Sequence, residues 1–431
     1  MSLGKLKNKY FYILISFTGC IISIFSFGNT FAQTPYINNV FNPAIKSVEF
    51  YNTAQVGAFP VIDLNSAEQL LLAFDDLRGS YHNYYYTLEH CDHKWNSSNL
   101  SVGFYMQGYQ DDRIIDYQYS TNTMRKYTHY EVKFPNENIK PKISGNYILK
   151  VYEDGDQSKM ILTRRFFILG SKVGVGADVV TPNLTQLRQT GQKVNVQINY
   201  GGLVVQNPNS DMRVVVMQNE RPETVQINIP PTYVRNGQLI YNDINLNNFA
   251  GRNEFRRFDT RTLKVNSERI GRIYRDTSYA VVLLIDPVRN SPDYLFQFDN
   301  DGRFYILNQD GNDARRDGDY TYVYFNLAAG SLPSQGSVHI IGKFNDYCID
   351  ERSKLEFDAA VNRYFIKLLL KQGVYDYEYT WVDNAGKADD IPVEGSHFET
   401  QNEYQVLVYY RPPSARWDEL VGYRLLNTAK K

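Results

Sequence analysis

Cysteine and histidine are scarce here: the 431 residues contain three cysteines and six histidines. Cys20 lies in the apolar N-terminal stretch, which leaves Cys91 and Cys348. Two cysteines are too few for a disulfide scaffold in a chain of this length. They read as two buried thiols, with a bond between them as the alternative. There is no HExxH and no paired CxxC, and the histidines at 82, 129, 339 and 397 stand singly, so no metal site is expected. A P-loop, a GxSxG elbow and a GxGxxG after a strand are also missing; "VGVG" at Val173–Gly176 lacks the spacing and the helix. Charge of one sign is lacking too. The 46 basic residues meet 47 acidic ones, a net charge of −1, which gives nucleic acid no basic surface to bind. No long apolar run follows residue 27. Neither a cofactor nor a small-molecule substrate is expected, and no acid, base or nucleophile stands out as catalytic.

The N-terminus supplies the first positive signal. Lys5, Lys7 and Lys9 precede an apolar stretch from Tyr10 to Phe27, and "GNTFAQTP" brings small residues at Thr30 and Ala32. That pattern is a secretory signal peptide over residues 1–32, cleaved after Ala32. "FTGC", ending at Cys20, faintly resembles a lipoprotein box, but the apolar run continues past it. Removing 1–32 takes away three lysines and no acid, moving the net charge from −1 to −4.

Aromatic residues are what the chain has in quantity: 35 tyrosines and 24 phenylalanines. These suit a pleated, half-buried surface, and no convincing amphipathic helix appears, so the fold class is all-β with little helix. Strand candidates recur about every ten residues from 46 to 170: "KSVEFY", "EQLLLAFDDL", "NYYYTLEH", "THYEVKFP", "GNYILKVYED" and "LTRRFFIL". A second set includes "KVNVQINY", "MRVVVMQN", "GQLIYNDI", "YAVVLLID" and a hairpin "YLFQFDNDGRFYIL". A third runs from "YTYVYFNL" through "SVHIIGKFNDY", "YFIKLLLK" and "GVYDYEYTWVD" to "YQVLVYYRP". The turn-rich stretches Gly170–Thr181 and Gln309–Tyr320 separate the sets. The expected organisation is three tandem antiparallel, immunoglobulin-like sandwiches over 33–170, 171–310 and 311–431.

"NYYYTLEHCDHKWN", Asn83–Asn96, concentrates the chemistry-bearing side chains. As a strand it places Tyr84, Tyr86, Leu88 and His90 on one face and Tyr85, Thr87, Glu89 and Cys91 on the other. If the pleat persists, no more than two ligands converge on either side, fewer than zinc requires. His90 points away from Cys91, so the thiol has no obvious base. Tyr84 and Tyr86 are candidate interface anchors, with core packing the competing reading. The basic stretch Arg252–Arg275 is the best candidate for a charged docking surface, chiefly through Arg252, Arg256, Arg257 and Arg261.

Several blocks in order carry a resemblance: "FDDLRG" (74–79), "HCDHKWNSSNL" (90–100), "KYTHYEVKFPNENIKPKISGNYILKVYEDGD" (126–156) and "LTRRFFIL" (162–169). "NEFRRFDTRTL" (253–263), "DYTYVYFNL" (319–327) and "RWDELVGYRLLN" (416–427) follow. Together they resemble the type IX secretion system plug proteins of gliding and related Bacteroidetes-type bacteria. That resemblance implies a non-enzymatic periplasmic protein that binds the periplasmic opening of the giant outer-membrane translocon barrel and plugs it when idle. The alternative comes from the third set, which is similar to carbohydrate-binding modules of starch and glycogen enzymes at Gly342, Phe344, Asn345, Gly373, Tyr375 and Tyr377. It implies a glycan-binding accessory protein, although Tyr347 stands where those modules carry tryptophan.

Overall fold

The computed structural model describes residues 36–429 other than Ile229, Ser331 and Ser334. The expected signal peptide, with Cys20 and the cleavage point at Ala32, lies outside the described residues. Strands make up 46% of the chain and helices 6%, in several antiparallel sheets with no closed barrel among the described residues, so the fold is an all-β sandwich fold.

In the first sandwich, one sheet runs in the order Asn39–Val40, Met160–Leu169, Gly145–Glu153, Tyr84–Cys91, Asp112–Arg113. The facing sheet runs Ile45–Asn52, Leu70–Asp76, Thr128–Phe134, Asp116–Tyr119. All six expected strands of residues 46–170 are present. Alternation fills the space between the sheets: Leu70, Leu72 and Phe74 from one side meet Tyr84, Tyr86, Leu88, Tyr147 and Phe166 from the other.

The remaining strands do not sort by the intervals 171–310 and 311–431. Gly174–Val180, Gly191–Asn199, Gln238–Tyr241 and Tyr233–Arg235 form one sheet of the second sandwich. Its other sheet orders Gln226–Asn228, Met212–Gln218, Glu403–Tyr410 and Glu419–Asn427, so the last two strands of the chain complete it. Conversely, Arg256–Asp259 pairs with Gly373–Val382, and Ile270–Arg275 and Tyr279–Leu283 join Tyr320–Ala328 and Arg363–Lys371. The third sandwich is therefore an insertion within the second. The expected boundary at 310 is corrected to a departure after Asn248–Ala250 and a return at Glu403–Tyr410.

Burial explains the swap. In Met212–Gln218 and Glu403–Tyr410, the residues Val214, Val216, Tyr404, Val406 and Val408 face the second core. Val215, Met217, Leu407 and Tyr409 face the opposite way, onto Phe59, Phe167, Trp95 and Leu169 of the first sandwich. A strand apolar on both faces has to be covered on both, and the near-continuous runs "VVVM" and "VLVYY" are that requirement written in sequence.

The expected hairpin "YLFQFDNDGRFYIL" forms only its turn and second arm. Asp301 and Gly302 take φ of 53° and 80°, as the turn needs. Phe304–Ile306 pairs with Gly373–Val382, whereas the first arm is irregular. Asp299 accepts from the Phe255 and Asp301 amides, and the Asp376 carboxylate accepts from the Asn300 and Gly302 amides. These side-chain acceptors satisfy the turn's backbone donors without a strand partner.

If the shared sheet is buried on both sides, Leu407→Ala and Val406→Ala, on opposite faces, should each cost about 2–5 kcal/mol in urea denaturation. A Leu407→Ala cost within about 0.5 kcal/mol of zero would mean that its face is exposed.

Candidate functional site

The segment Tyr84–Asn96 keeps its pleat only as far as Cys91. Tyr84, Tyr86, Leu88 and His90 are all buried, as the alternation predicts. This corrects Tyr84 and Tyr86 as docking anchors, because neither ring has any exposed surface. Tyr84 packs edge-on to Phe74 and Tyr130 and donates to Asp76 Oδ2 at 2.9 Å. Tyr86 packs against Phe134 and accepts from Asn136 Nδ2. His90 Nδ1 lies 2.8 Å from Ser98 Oγ and its Nε2 3.2 Å from the Ser144 carbonyl. It also lies so close to Gly145, at φ +145°, that a Cβ there would sit 2.3 Å from Nε2. Cys91 and Cys348 are both free, and burial pushes the Cys91 thiol well up, away from nucleophilic range.

After Cys91 the chain turns. Asp92 Oδ1 accepts from the Lys94 and Asn96 amides, and Trp95 adopts φ 68°. The turn aims His93 at Asp418, 325 residues away: the His93 amide and Nδ1 lie 3.0 and 2.7 Å from Asp418 Oδ2. Arg411 holds the same carboxylate through Nε and Nη2, both at 2.8 Å. Burial alone would raise the Asp418 carboxyl, but these hydrogen bonds from His93 and Arg411 outweigh it and hold the group well below the usual range. Asp92, His93 and Asp418 bring one ligating atom each within 4.8 Å of one another. The Asp92 and Asp418 oxygens accept from amides and a guanidinium and meet His93 Nδ1, while His93 Nε2 is buried without a hydrogen-bond partner; these contacts tie the first sandwich to the second. Two of the resemblance blocks, "HCDHKWN" and "RWDEL", are thus the two halves of one seam.

"FDDLRG" supplies the seam between the first and third sandwiches. Phe74 stacks on Tyr130 in the core, while Asp75 points across to the third sandwich. Lys371 Nζ and Tyr320 Oη both donate to Asp75 Oδ2 at 2.7 Å, and His129 Nδ1 lies 2.7 Å from Oδ1. Lys371 also sits 4.2 Å from the Tyr127 ring centroid, and Tyr127 Oη donates to the Gly318 carbonyl. Burial disfavours charge at each of these groups. Lys371 and His129 nevertheless keep Asp75 below its ordinary value, and the Asp75 contact, with the Glu131 carboxylate 3.9 Å from Nε2, keeps His129 above its own.

The arginine stretch divides between core and surface. Arg256 is 5% exposed and forks onto Glu394, with Asp286 at 3.1 Å and its guanidinium over the Tyr379 ring. Arg252 pairs with Asp390, which Arg221 also reaches while pairing with the buried Glu378. Arg256 is paired inside the third sandwich, and Arg252 shares Asp390 with Arg221 of the second, so both are committed to internal ion pairs, which corrects their assignment to a docking face. Arg261 folds back onto Asp259, and Arg257 lies over Phe298. The outward residues of the stretch are instead Arg272, Tyr274 and Arg275, on Ile270–Arg275 at the edge of its sheet. Alternation from Arg256 onward would have found them only if the partners of the inner arginines, over a hundred residues away, had been known.

The turn that suggested glycan binding is closed. Asn345 braces it by accepting from the Gly342 amide and donating to the Ile340 carbonyl. Tyr347 is 8% exposed beneath the Arg221 guanidinium, 5.2 Å from the ring centroid, and Tyr375 and Tyr377 are core residues. Tyr347 and Tyr377 are closed to a sugar, which removes two of the rings that suggested glycan binding.

The Asp75 cluster makes its seam sensitive to pH. Depressed Asp75 stabilises the fold above the unfolded carboxylate pKa of about 4, and this contribution is lost on acidification. Raised His129 stabilises it below the unfolded imidazole value of about 6.5, and this contribution is lost as pH rises through the folded value. Thermal melts should therefore fall off on both sides of a plateau, and His129→Gln should remove the alkaline arm and, because His129 also helps hold Asp75 low, weaken the acid one. Lys371→Met should cost about 3–5 kcal/mol by leaving Asp75 buried without its ammonium, and Asp75→Asn in the same chain should recover part of the loss.

The first-sandwich residues 45–170 match the type 9 secretion system plug protein first domain. Among solved structures, a hypothetical protein from Parabacteroides merdae is 32% identical and superposes with a TM-score of 0.88, covering 92% of this chain and 100% of that one. Dimeric latent PorU from Porphyromonas gingivalis is 10% identical with a TM-score of 0.14, covering 89% of this chain and 34% of that one. Collagen adhesin from S. aureus is 7% identical with a TM-score of 0.11, covering 89% and 91%. Those two scores are too low to carry an argument. A comparison with curated proteins found no match. The plug-domain match falls on the sandwich whose blocks build both seams, and the chain belongs to the type IX secretion system plug protein family.

Proposed function

We propose that this protein is a non-enzymatic periplasmic component of type IX secretion that seats against the periplasmic opening of the outer-membrane translocon barrel and closes it when no cargo is engaged. The observation that carries the reading is the locking of three sandwiches by the shared sheet and the buried ion pairs, in a chain whose first sandwich matches the plug domain. A barrel wide enough to pass folded proteins encloses an aqueous lumen. To obstruct it, a body must hold its shape against the opening, and obstruction needs no bond to be made or broken.

The outward residues of the arginine stretch are the proposed contact. Ile270–Arg275 is a sheet edge, and it presents Arg272, Tyr274 and Arg275 to solvent. Arg and Tyr are the residue types enriched at interface hot spots.

A tagged copy solubilised from native envelopes should bring down a giant outer-membrane barrel, and cells lacking the protein should admit large antibiotics when the translocon is vacant. Recovery free of any barrel, with unchanged antibiotic exclusion in its absence, would contradict the proposal. Arg272→Glu with Arg275→Glu should reduce barrel recovery by at least about tenfold while leaving the melting temperature unchanged.

A further inference from the structure

Between the first and third sandwiches lies a cleft of about 200 Å³ whose lining has no role in the reading above. Four consecutive residues of the strand Ile45–Asn52, namely Ile45, Lys46, Ser47 and Val48, line it. A regular strand cannot do this, because successive side chains alternate between faces. Here the register against Leu70–Asp76 shifts between Lys46 and Glu49, and Ser47 adopts φ 48°. That β-bulge, held by a non-glycine residue in the left-handed region, breaks the alternation where the strand borders the cleft.

Across the cleft the third sandwich supplies an apolar patch, Phe304, Phe344, Leu368, Leu370 and Tyr375, beside polar residues that include Asn345, Asp346, Asp350 and Arg352. Three cations meet two carboxylates around it. Arg352 grips Asp350 at 2.6 and 2.8 Å, and the buried Arg164 reaches Asp346 at 3.3 Å. Lys46 is left over: among the described residues its ammonium has no hydrogen-bonding or ion-pairing partner, although it is half-buried and burial lowers its pKa. A half-buried ammonium without a counter-ion, beside an apolar patch at a junction between sandwiches, is the arrangement of a ligand pocket with one anchoring charge.

We propose that this cleft binds a monocarboxylate carrying an apolar body of about one aromatic ring, its carboxylate on Lys46 and its ring against Phe304, Phe344 and Leu370. The volume suits that size, since a cavity of about 150 Å³ takes benzene. Because the two walls belong to different sandwiches, an occupant would bridge the first and the third.

The probe is 3-phenylpropanoate, titrated calorimetrically into the mature chain beside 3-phenylpropanamide, its neutral counterpart of the same shape. The carboxylate should bind at least about tenfold more tightly than the amide, and Lys46→Gln, a half-exposed position, should abolish that preference. Cys348 lines the same cleft and gives a second readout on the unmutated chain: the carboxylate should slow its alkylation by N-ethylmaleimide and the amide should not. Equal binding of acid and amide, a preference that survives Lys46→Gln, or no saturable binding up to about 10 mM would each overturn the proposal.

Discussion

A sheet buried on both faces is the constraint from which the rest of this architecture follows. Met212–Gln218 and Glu403–Tyr410 present Val214, Val216, Val406 and Val408 to one core and Val215, Met217, Leu407 and Tyr409 to another. Neither sandwich can release that sheet without exposing apolar surface, at roughly 25 cal/mol for each Å². The C-terminal strands must therefore return to the second sandwich, and the third becomes an insertion between two fixed ends. Gly170 and Lys172 bond to the carbonyls of Leu420 and Val421, which continues the seam through the backbone.

The other junctions use charge, and each charge has a specific partner. Asp75 with Lys371 and His129 joins the first sandwich to the third, Arg221 with Glu378 the second to the third, and His93 with Asp418 the first to the second. Such pairs contribute less to net stability than their distances suggest, because desolvation opposes them. They add directionality: a mismatched docking of two sandwiches would leave charges buried and unpaired. Near equality of acidic and basic residues thus describes, in part, the inside of this molecule.

Much of the fold was legible because aromatic and β-branched residues alternate so regularly. "NYYYTLEH" gave both faces of its strand, and the six strands of the first sandwich lie where their sequence patterns put them. Membership of the third sandwich was not legible, since Arg256–Asp259 pairs with a strand over a hundred residues on, and Ile270–Arg275 joins that sandwich only through its hairpin partner Tyr279–Leu283, which pairs with Tyr320–Ala328. Polar residues misled for the same reason. Asp376 and Glu378 alternate with Tyr375, Tyr377 and Tyr379 as though facing water, yet that side of the strand is covered and both acids are buried. Arg256 and Arg252 read as a docking surface because their carboxylate partners, Glu394 and Asp390, lie far along the chain. Tyr84 and Tyr86 were ambiguous because tyrosine serves both cores and interfaces.

Obstruction by shape asks that the three sandwiches move as one body, so cooperativity is the property to measure. Differential scanning calorimetry of the mature chain reads it without a partner or a ligand. One transition, with the calorimetric enthalpy equal to the van't Hoff enthalpy, is the result expected of a body whose sandwiches share a sheet and buried ion pairs. Two or three separable transitions, one of them matching the inserted third sandwich, would show that the seams yield independently and would contradict the account.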